Sequence, residues 1–207
     1  MTVIVDYGVG NLFSLLSSFA AIGEKAKVSS DKNEIENADR ILLPGVGAFS
    51  DAADKLEKSG LKAALYRAAE NGVPIMGVCL GMQLLFDKSY EYGEYDGLGF
   101  ISGKVCPISD FIPKELKIPH IGWNKLNVIK RHPLLKYTGN NDFAYFVHSY
   151  CAVDCKDSVL ATTEYGAEIT AVVAKNNVMG CQFHPEKSGE SGLKILKAFC
   201  ELKRGDL

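Results

Sequence analysis

The sequence predicts an α/β fold in which a mostly parallel central sheet is flanked by helices, with antiparallel strand additions in the C-terminal half. Three observations predict it. Short apolar, β-branched runs alternate with segments of helical periodicity up to Tyr90; Gly- and Pro-punctuated β-rich runs follow; and a last amphipathic segment is placed to dock on the sheet. With 207 residues, 47% of them hydrophobic and 23% charged, the chain has the size and composition of a single domain spanning 1–207. Intrinsic disorder, fibrous repeats and a membrane bundle do not fit that composition.

The elements follow in order. Thr2 to Asp6 reads as the first strand, and Leu12, Leu15, Leu16, Phe19 and Ile22 recur at helical spacing before Gly23 stops the helix. The pair repeats as Arg40 to Leu43 before one long helical stretch around Asp51 to Glu70, and as Val73 to Val78 before a helical stretch from Leu80. Further strands are expected at Gly103 to Ile108, Lys125 to Ile129, Phe143 to Val153, Val159 to Thr163 and Ile169 to Ala174, with a hairpin turn at Asn176-Asn177. Gly192 to Lys203 reads as the closing helix.

Charge and cysteine usage narrow the function classes. Twenty-three basic against 25 acidic side chains give a net charge of −2 without a Lys/Arg cluster, so no nucleic-acid partner is expected. The six cysteines lack the paired short spacing of a zinc ribbon or disulfide scaffold, and the N-terminus has neither a basic region nor a long apolar one. A cytoplasmic chain with mostly reduced, buried thiols and no membrane segment is the expectation.

One cysteine departs from that default. Gly77-Val78-Cys79-Leu80-Gly81 stands where an apolar strand meets a helix, in the form of a nucleophile elbow with sulfur for oxygen. The glycines are needed because strand and helix backbones approach too closely there for side chains, and the nucleophile itself is held in a sparsely populated conformation. A helix N-terminus and a neighbouring imidazolium would both favour the thiolate. The base is offered by His184-Pro185-Glu186: the residue before proline favours extended backbone, where residues two apart project to the same side, so Glu186 can orient His184. His120 and His132 read as loop or surface residues, and His148 as a hydrogen-bonded core residue. The backbone N–H of Leu80 and the loop Pro44-Gly45-Val46-Gly47 are candidate donors for an oxyanion. Gly8-Val9-Gly10 begins like a dinucleotide fingerprint but meets Phe13 where the third glycine belongs, and no phosphate-binding G-x-x-x-x-G-K-[ST] segment occurs, so no cofactor is implied.

With Cys79, His184 and Glu186 in that order, the sequence resembles the class I, triad-type glutamine amidotransferases. The further segments Asp6 to Asn11, Pro44 to Phe49, Pro119 to Asn124, Phe146 to Tyr150 and His184 to Ser188 extend the resemblance over nearly the whole chain. The resemblance implies hydrolysis of L-glutamine through a Cys79 thioester. It implies a substrate and oxyanion site built by Gly45, Val46, Gly47, Leu80, Gln83, His148, Ser149 and Tyr150. It also implies transfer of the ammonia to a (β/α)₈-barrel synthase subunit of histidine biosynthesis, in a heterodimer with Asn11, Trp123, Tyr145 and Lys187 at the contact. A glutaminase serving another synthase, for vitamin B6 or for sugar amidation, and a thiol sensor on the same fold are the alternatives.

Overall fold

In the computed structural model, which describes residues 1–206, the apolar runs of the N-terminal half become short buried strands joined by helices. β1 (Thr2–Val5) leads into α1 (Leu12–Ala21), which Asn11 caps by accepting from Ser14 N–H and which buries Leu15 and Phe19. β2 (Ala26–Ser29) and α2 (Lys32–Glu36) follow; both are too short and too polar to stand out as a periodic pattern. β3 (Arg40–Leu43) is the expected apolar run. The single long helical stretch expected after it is two helices, α3 (Phe49–Ser59) and α4 (Leu61–Glu70), because Gly60 takes φ +69 and turns the chain between them.

β4 (Ile75–Val78) then enters the helical stretch expected from Leu80, which is the single turn α5 (Leu80–Gln83). Leu84, Leu85 and Phe86 are all buried, and three consecutive buried residues exceed what one helix face can cover, so the chain leaves as β5 (Phe86–Ser89). β5 pairs antiparallel with β6 (Tyr95–Asp96) and parallel with β7 (Ile101–Pro107).

The next two expected strands are divided. Lys125 to Ile129 contributes only the end of β8 (His120–Lys125) and the two-residue β9 (Asn127–Val128). Phe143 to Val153 breaks at Ser149 into β10 (Phe143–His148), which pairs with β8 as a separate ribbon, and β11 (Tyr150–Val153), which pairs with β7. β12 (Val159–Glu164) pairs with β13 (Glu168–Lys175), which joins β14 (Val178–Cys181) through Asn176-Asn177, Asn176 at φ +51. α6 (Gly189–Cys200) closes the fold.

The main sheet runs β2-β1-β3-β4-β14-β13-β12-β9, parallel from β2 to β14 and antiparallel beyond. Alternation along β1 and β3 divides the core. Val3, Val5, Ile41 and Leu43 face α3 and α4, whereas Ile4 and Leu42 pack with Phe19 and Phe199 on the other side. The parallel strands β3, β4 and β14 therefore end together at one edge, and the segments that follow them, Pro44-Gly45, Cys79 and Gln182 to Glu186, meet there. Carboxyl ends of parallel strands are where open α/β sheets bind ligands. Among the described residues no helix is long and apolar enough to cross a membrane.

Candidate active site

The turn from β4 into α5 is a packing solution that only small residues permit. A Cβ on Gly81 would stand 2.0 Å from the Leu43 carbonyl oxygen, and one on Gly77 would stand 2.5 Å from the Gly81 oxygen. Gly45 closes the same contact from the other side, its Cβ position 2.6 Å from Gly81 N. Cys79, between the glycines, has φ 54 and ψ −112, in the strained region that holds a nucleophile clear of its own strand. α5 is a single turn, so the helix dipole expected at Cys79 comes from one turn of aligned peptides.

β14 delivers the second half of the site beside the first. Cys79 N–H donates to the Cys181 carbonyl at 2.8 Å, which fixes the two strand ends in register. Five residues past that strand end lies Glu186, whose Oε1 is 2.9 Å from His184 Nδ1, both side chains almost wholly buried. Nε2 is the ring nitrogen left for Cys79. Burial pushes the His184 imidazolium towards deprotonation, but the sulfur of Cys79 and the Glu186 carboxylate outweigh it and lift the group to about 10. His184 is therefore protonated at neutral pH, facing the sulfur. Cys79 also receives an N–H from Gln182 Nε2 at 3.8 Å.

These groups open on a cavity of about 400 Å³. Its wall includes Val46 and Gly47, Cys79 and Leu80, Gln83, His148 to Tyr150, and His184 with Lys187. Gly45 stands behind the elbow instead of in the wall, because its lack of a side chain is used up against Gly81. Gln83 is buried and its amide nitrogen is already committed to the Tyr150 carbonyl at 3.2 Å and to Gln182 Oε1 at 3.0 Å. A larger surface groove, about 760 Å³ between Val128 and Asn140, is lined by His132 and Thr138 but by no cysteine.

Sequence reasoning did not single out Gln182, Glu91 or Tyr92. Gln182 lies two residues before His184, the same spacing that linked His184 to Glu186, and that spacing was the available signal. Glu91 lines the cavity, accepts a hydrogen bond from the Phe49 N–H, and is pushed up by burial; its loop position carried no pattern. His120, expected in a loop or at the surface, is instead fully buried in β8, stacked against Phe146 and Tyr165. The two rings screen it from water and its nitrogens find partners, which is what burial of an imidazole requires. His148 is buried and hydrogen-bonded as expected, and also reaches the cavity. His132 is a half-buried loop residue that accepts from Leu134 N–H.

Three of the four residues assigned to a partner contact come together. Trp123, 53% exposed, meets the Tyr145 ring edge-on at 6.0 Å, and Lys187 Nζ lies 5.9 Å from the same ring. Asn11 serves as the cap of α1 and shares none of these contacts. Ile121 is also exposed on the outer face of the β8–β10 ribbon, whose inner face carries His120 and His148.

A profile for the family "Glutamine amidotransferase class-I" matches residues 3–202. The chain is 50% identical over 200 residues to "Imidazole glycerol phosphate synthase subunit HisH" of Lactococcus lactis subsp. lactis, covering 96% of this chain and 97% of the relative. It is 51% identical over 203 residues to the protein of that name from Caldanaerobacter subterraneus subsp. tengcongensis, covering 98% of each. Among solved structures, PurLQS from Thermotoga maritima matches with TM-score 0.75 at 21% identity, covering 96% of each chain. A structure described as a glutamine amidotransferase matches with TM-score 0.74 at 18% identity, covering 96% of this chain and 98% of that one. At these identities the two structural likenesses speak to the fold.

Proposed function

The chain belongs to the class I glutamine amidotransferase family, and from that premise we propose that it is the ammonia-donating glutaminase subunit of an imidazole glycerol phosphate synthase in histidine biosynthesis. The observation that carries the chemistry is the Cys79 elbow facing a His184 imidazolium whose other nitrogen is held by buried Glu186. The full-length likeness to the histidine-pathway relatives supports the choice of synthase. We assign all 207 residues to one amidotransferase domain working in the cytoplasm.

The reaction follows from the charges. The Cys79 sulfur attacks the side-chain amide carbon of glutamine, and the carbonyl oxygen takes the negative charge. Val46, Gly47 and Leu80 all line the cavity, and we assign the Leu80 N–H, after the nucleophile, and an N–H of the Val46-Gly47 loop as the donors to it. His184 gives its Nε2 proton to the leaving nitrogen, ammonia departs, and a γ-glutamyl thioester remains. His184, now neutral, takes a proton from water as the hydroxide adds to the thioester. It keeps that proton as the intermediate collapses, so the thiolate re-forms beside an imidazolium and the released glutamic acid loses its proton to water. Glu186 stabilises the imidazolium each time it forms.

Glutamine is a zwitterion, and Glu91 in the cavity wall is the carboxylate suited to its α-ammonium group. Ser149 and the peptide of Tyr150 line the same wall, with Gln83 bracing the Tyr150 carbonyl from behind. Free ammonia becomes ammonium in water and ceases to be a nucleophile, so the product calls for a docked acceptor. We place a (β/α)₈-barrel synthase subunit against the apolar outer face of the β8–β10 ribbon, with Trp123 as anchor beside Tyr145 and Lys187, and Asn11 at its margin.

A glutamine-mimicking electrophile tests this reading. It is expected to modify Cys79 stoichiometrically, with glutamine blocking the modification. The other five cysteines are buried, and burial pushes Cys151 up to about 12 and Cys200 to about 11, so they should lag. Modification spread over several cysteines and unaffected by glutamine would favour the thiol sensor.

A further inference from the structure

Two histidines with no step in the hydrolysis touch each other beneath the cavity. His120 Nδ1 lies 3.0 Å from His148 Nε2, and His148 Nδ1 lies 2.8 Å from the Tyr150 carbonyl oxygen. At the far end His120 Nε2 is 2.8 Å from the Asn124 side-chain oxygen position, and the Asn124 amide nitrogen position is 2.9 Å from the Glu164 carbonyl oxygen. The Tyr150 oxygen also accepts from Gln83 Nε2, which reaches Gln182, which in turn reaches Cys79 Sγ. Polar contacts thus run unbroken from the β8–β10 ribbon to the sulfur.

Counting protons along this chain assigns each nitrogen. The Tyr150 carbonyl can only accept, so His148 must carry its hydrogen on Nδ1. In a neutral ring Nε2 is then a bare lone pair, and His120 Nδ1 must donate to it. His120 Nε2 is left as an acceptor, which the Asn124 amide satisfies only by turning its NH₂ group inward and giving up its bond to the Glu164 carbonyl oxygen, which then faces the amide oxygen. With the Asn124 oxygen inward instead, the two rings need three protons on four nitrogens and carry one net positive charge. The surroundings oppose that charge. Burial pushes both imidazoles below their usual range, His148 to about 4, and the His184 imidazolium adds repulsion. Tyr150 and Tyr165 are further titratable neighbours, the latter stacked on His120 at 4.0 Å with its hydroxyl donated to the Lys117 carbonyl, and Glu91 and Lys187 line the same cavity as His148. Neither tyrosine supplies a compensating negative charge at neutral pH.

Resting on the glutaminase reading above, we propose that His120 is a positioning residue for glutamine hydrolysis, whose Nδ1–H occupies the Nε2 lone pair of His148 and so holds that ring, with its own Nδ1–H, against the Tyr150 carbonyl in the wall of the substrate cavity. The arrangement repeats, one residue further from the reaction, the logic by which Glu186 orients His184.

His120→Phe tests it, since the ring still stacks on Phe146 and Tyr165 but both nitrogens are lost. In the complex with the synthase subunit, KM for glutamine is expected to rise about tenfold, the equivalent of one hydrogen bond, with a smaller change in kcat. The ¹⁵Nε2 resonance of His148, which accepts from His120 in the native protein, should shift downfield as that hydrogen bond is lost. Asn124→Asp is the second variant. A carboxylate only accepts, so it should draw a third proton into the pair and give imidazolium ¹⁵N shifts near neutral pH. A folded His120→Phe protein with wild-type KM and an unchanged His148 spectrum overturns the proposal; if that variant does not fold, neutral rings in Asn124→Asp overturn it. The spectra do not depend on turnover, so an inactive wild-type complex would sink the glutaminase reading while leaving the tautomers measurable.

Discussion

Replacing Glu186 with glutamine keeps the side chain's size and removes its charge. The carboxylate is 2% exposed, with Oε1 2.9 Å from His184 Nδ1 and Oε2 buried without a partner. A glutamine there has two choices. It turns its NH₂ towards His184 Nδ1–H, donor against donor, or it sets the NH₂ where Oε2 was and buries two N–H groups that nothing accepts, at about 1–3 kcal/mol. Either way a charge-assisted bond worth about 1.5–3 kcal/mol is lost, which corresponds to about 10- to 150-fold in rate. Because Glu186 acts on the imidazolium, the loss should fall on kcat. The titration of His184, held up to about 10 against burial by Cys79 and Glu186, should move down. Glutamate release by the complex and a ¹⁵N titration of His184 measure the two effects, with thermal unfolding as a check on folding. A folded Glu186→Gln protein with wild-type kcat and an unmoved His184 titration would refute the assignment.

Two other substitutions probe the frame and the substrate. Gly81→Ala puts a methyl group 2.0 Å from the Leu43 carbonyl oxygen, and since both partners are backbone the elbow must open; a loss of about 3 kcal/mol in denaturant unfolding is expected, and an unchanged midpoint would contradict the packing argument. Glu91→Gln should raise KM for glutamine about tenfold with kcat nearly kept, as expected for loss of a carboxylate–ammonium pair, whereas an unchanged KM would mean that the α-ammonium group is bound elsewhere.

What the sequence made legible divides along physical lines. The parallel half is readable because each strand is buried on both faces and so appears as an uninterrupted apolar run, as Ile41-Leu42-Leu43 and Ile75 to Val78 do. The elbow is readable because backbone contact at Gly77 and Gly81 leaves a compositional mark; the His184–Glu186 pair was also read, but the extended backbone expected for it is a 3-10 turn over Pro185–Lys187, which brings Glu186 back onto His184. The break of Phe143 to Val153 at Ser149 was not legible: the run is continuously β-prone, and only tertiary pairing sends β10 to β8 and β11 to β7. Misplacing that break hid β8, and with it the burial of His120. An imidazole gives no local signal of the partner at 3.0 Å that lies 28 residues away.

The most direct measurement compares Cys79→Ala with the native chain in the complex with its synthase subunit, supplying either glutamine or an ammonium salt as nitrogen donor. Cys79 is the nucleophile in this account, so synthesis from glutamine should vanish while synthesis from ammonium persists at the native level, in a variant that folds normally. Glutamate release by Cys79→Ala at the native rate would contradict it.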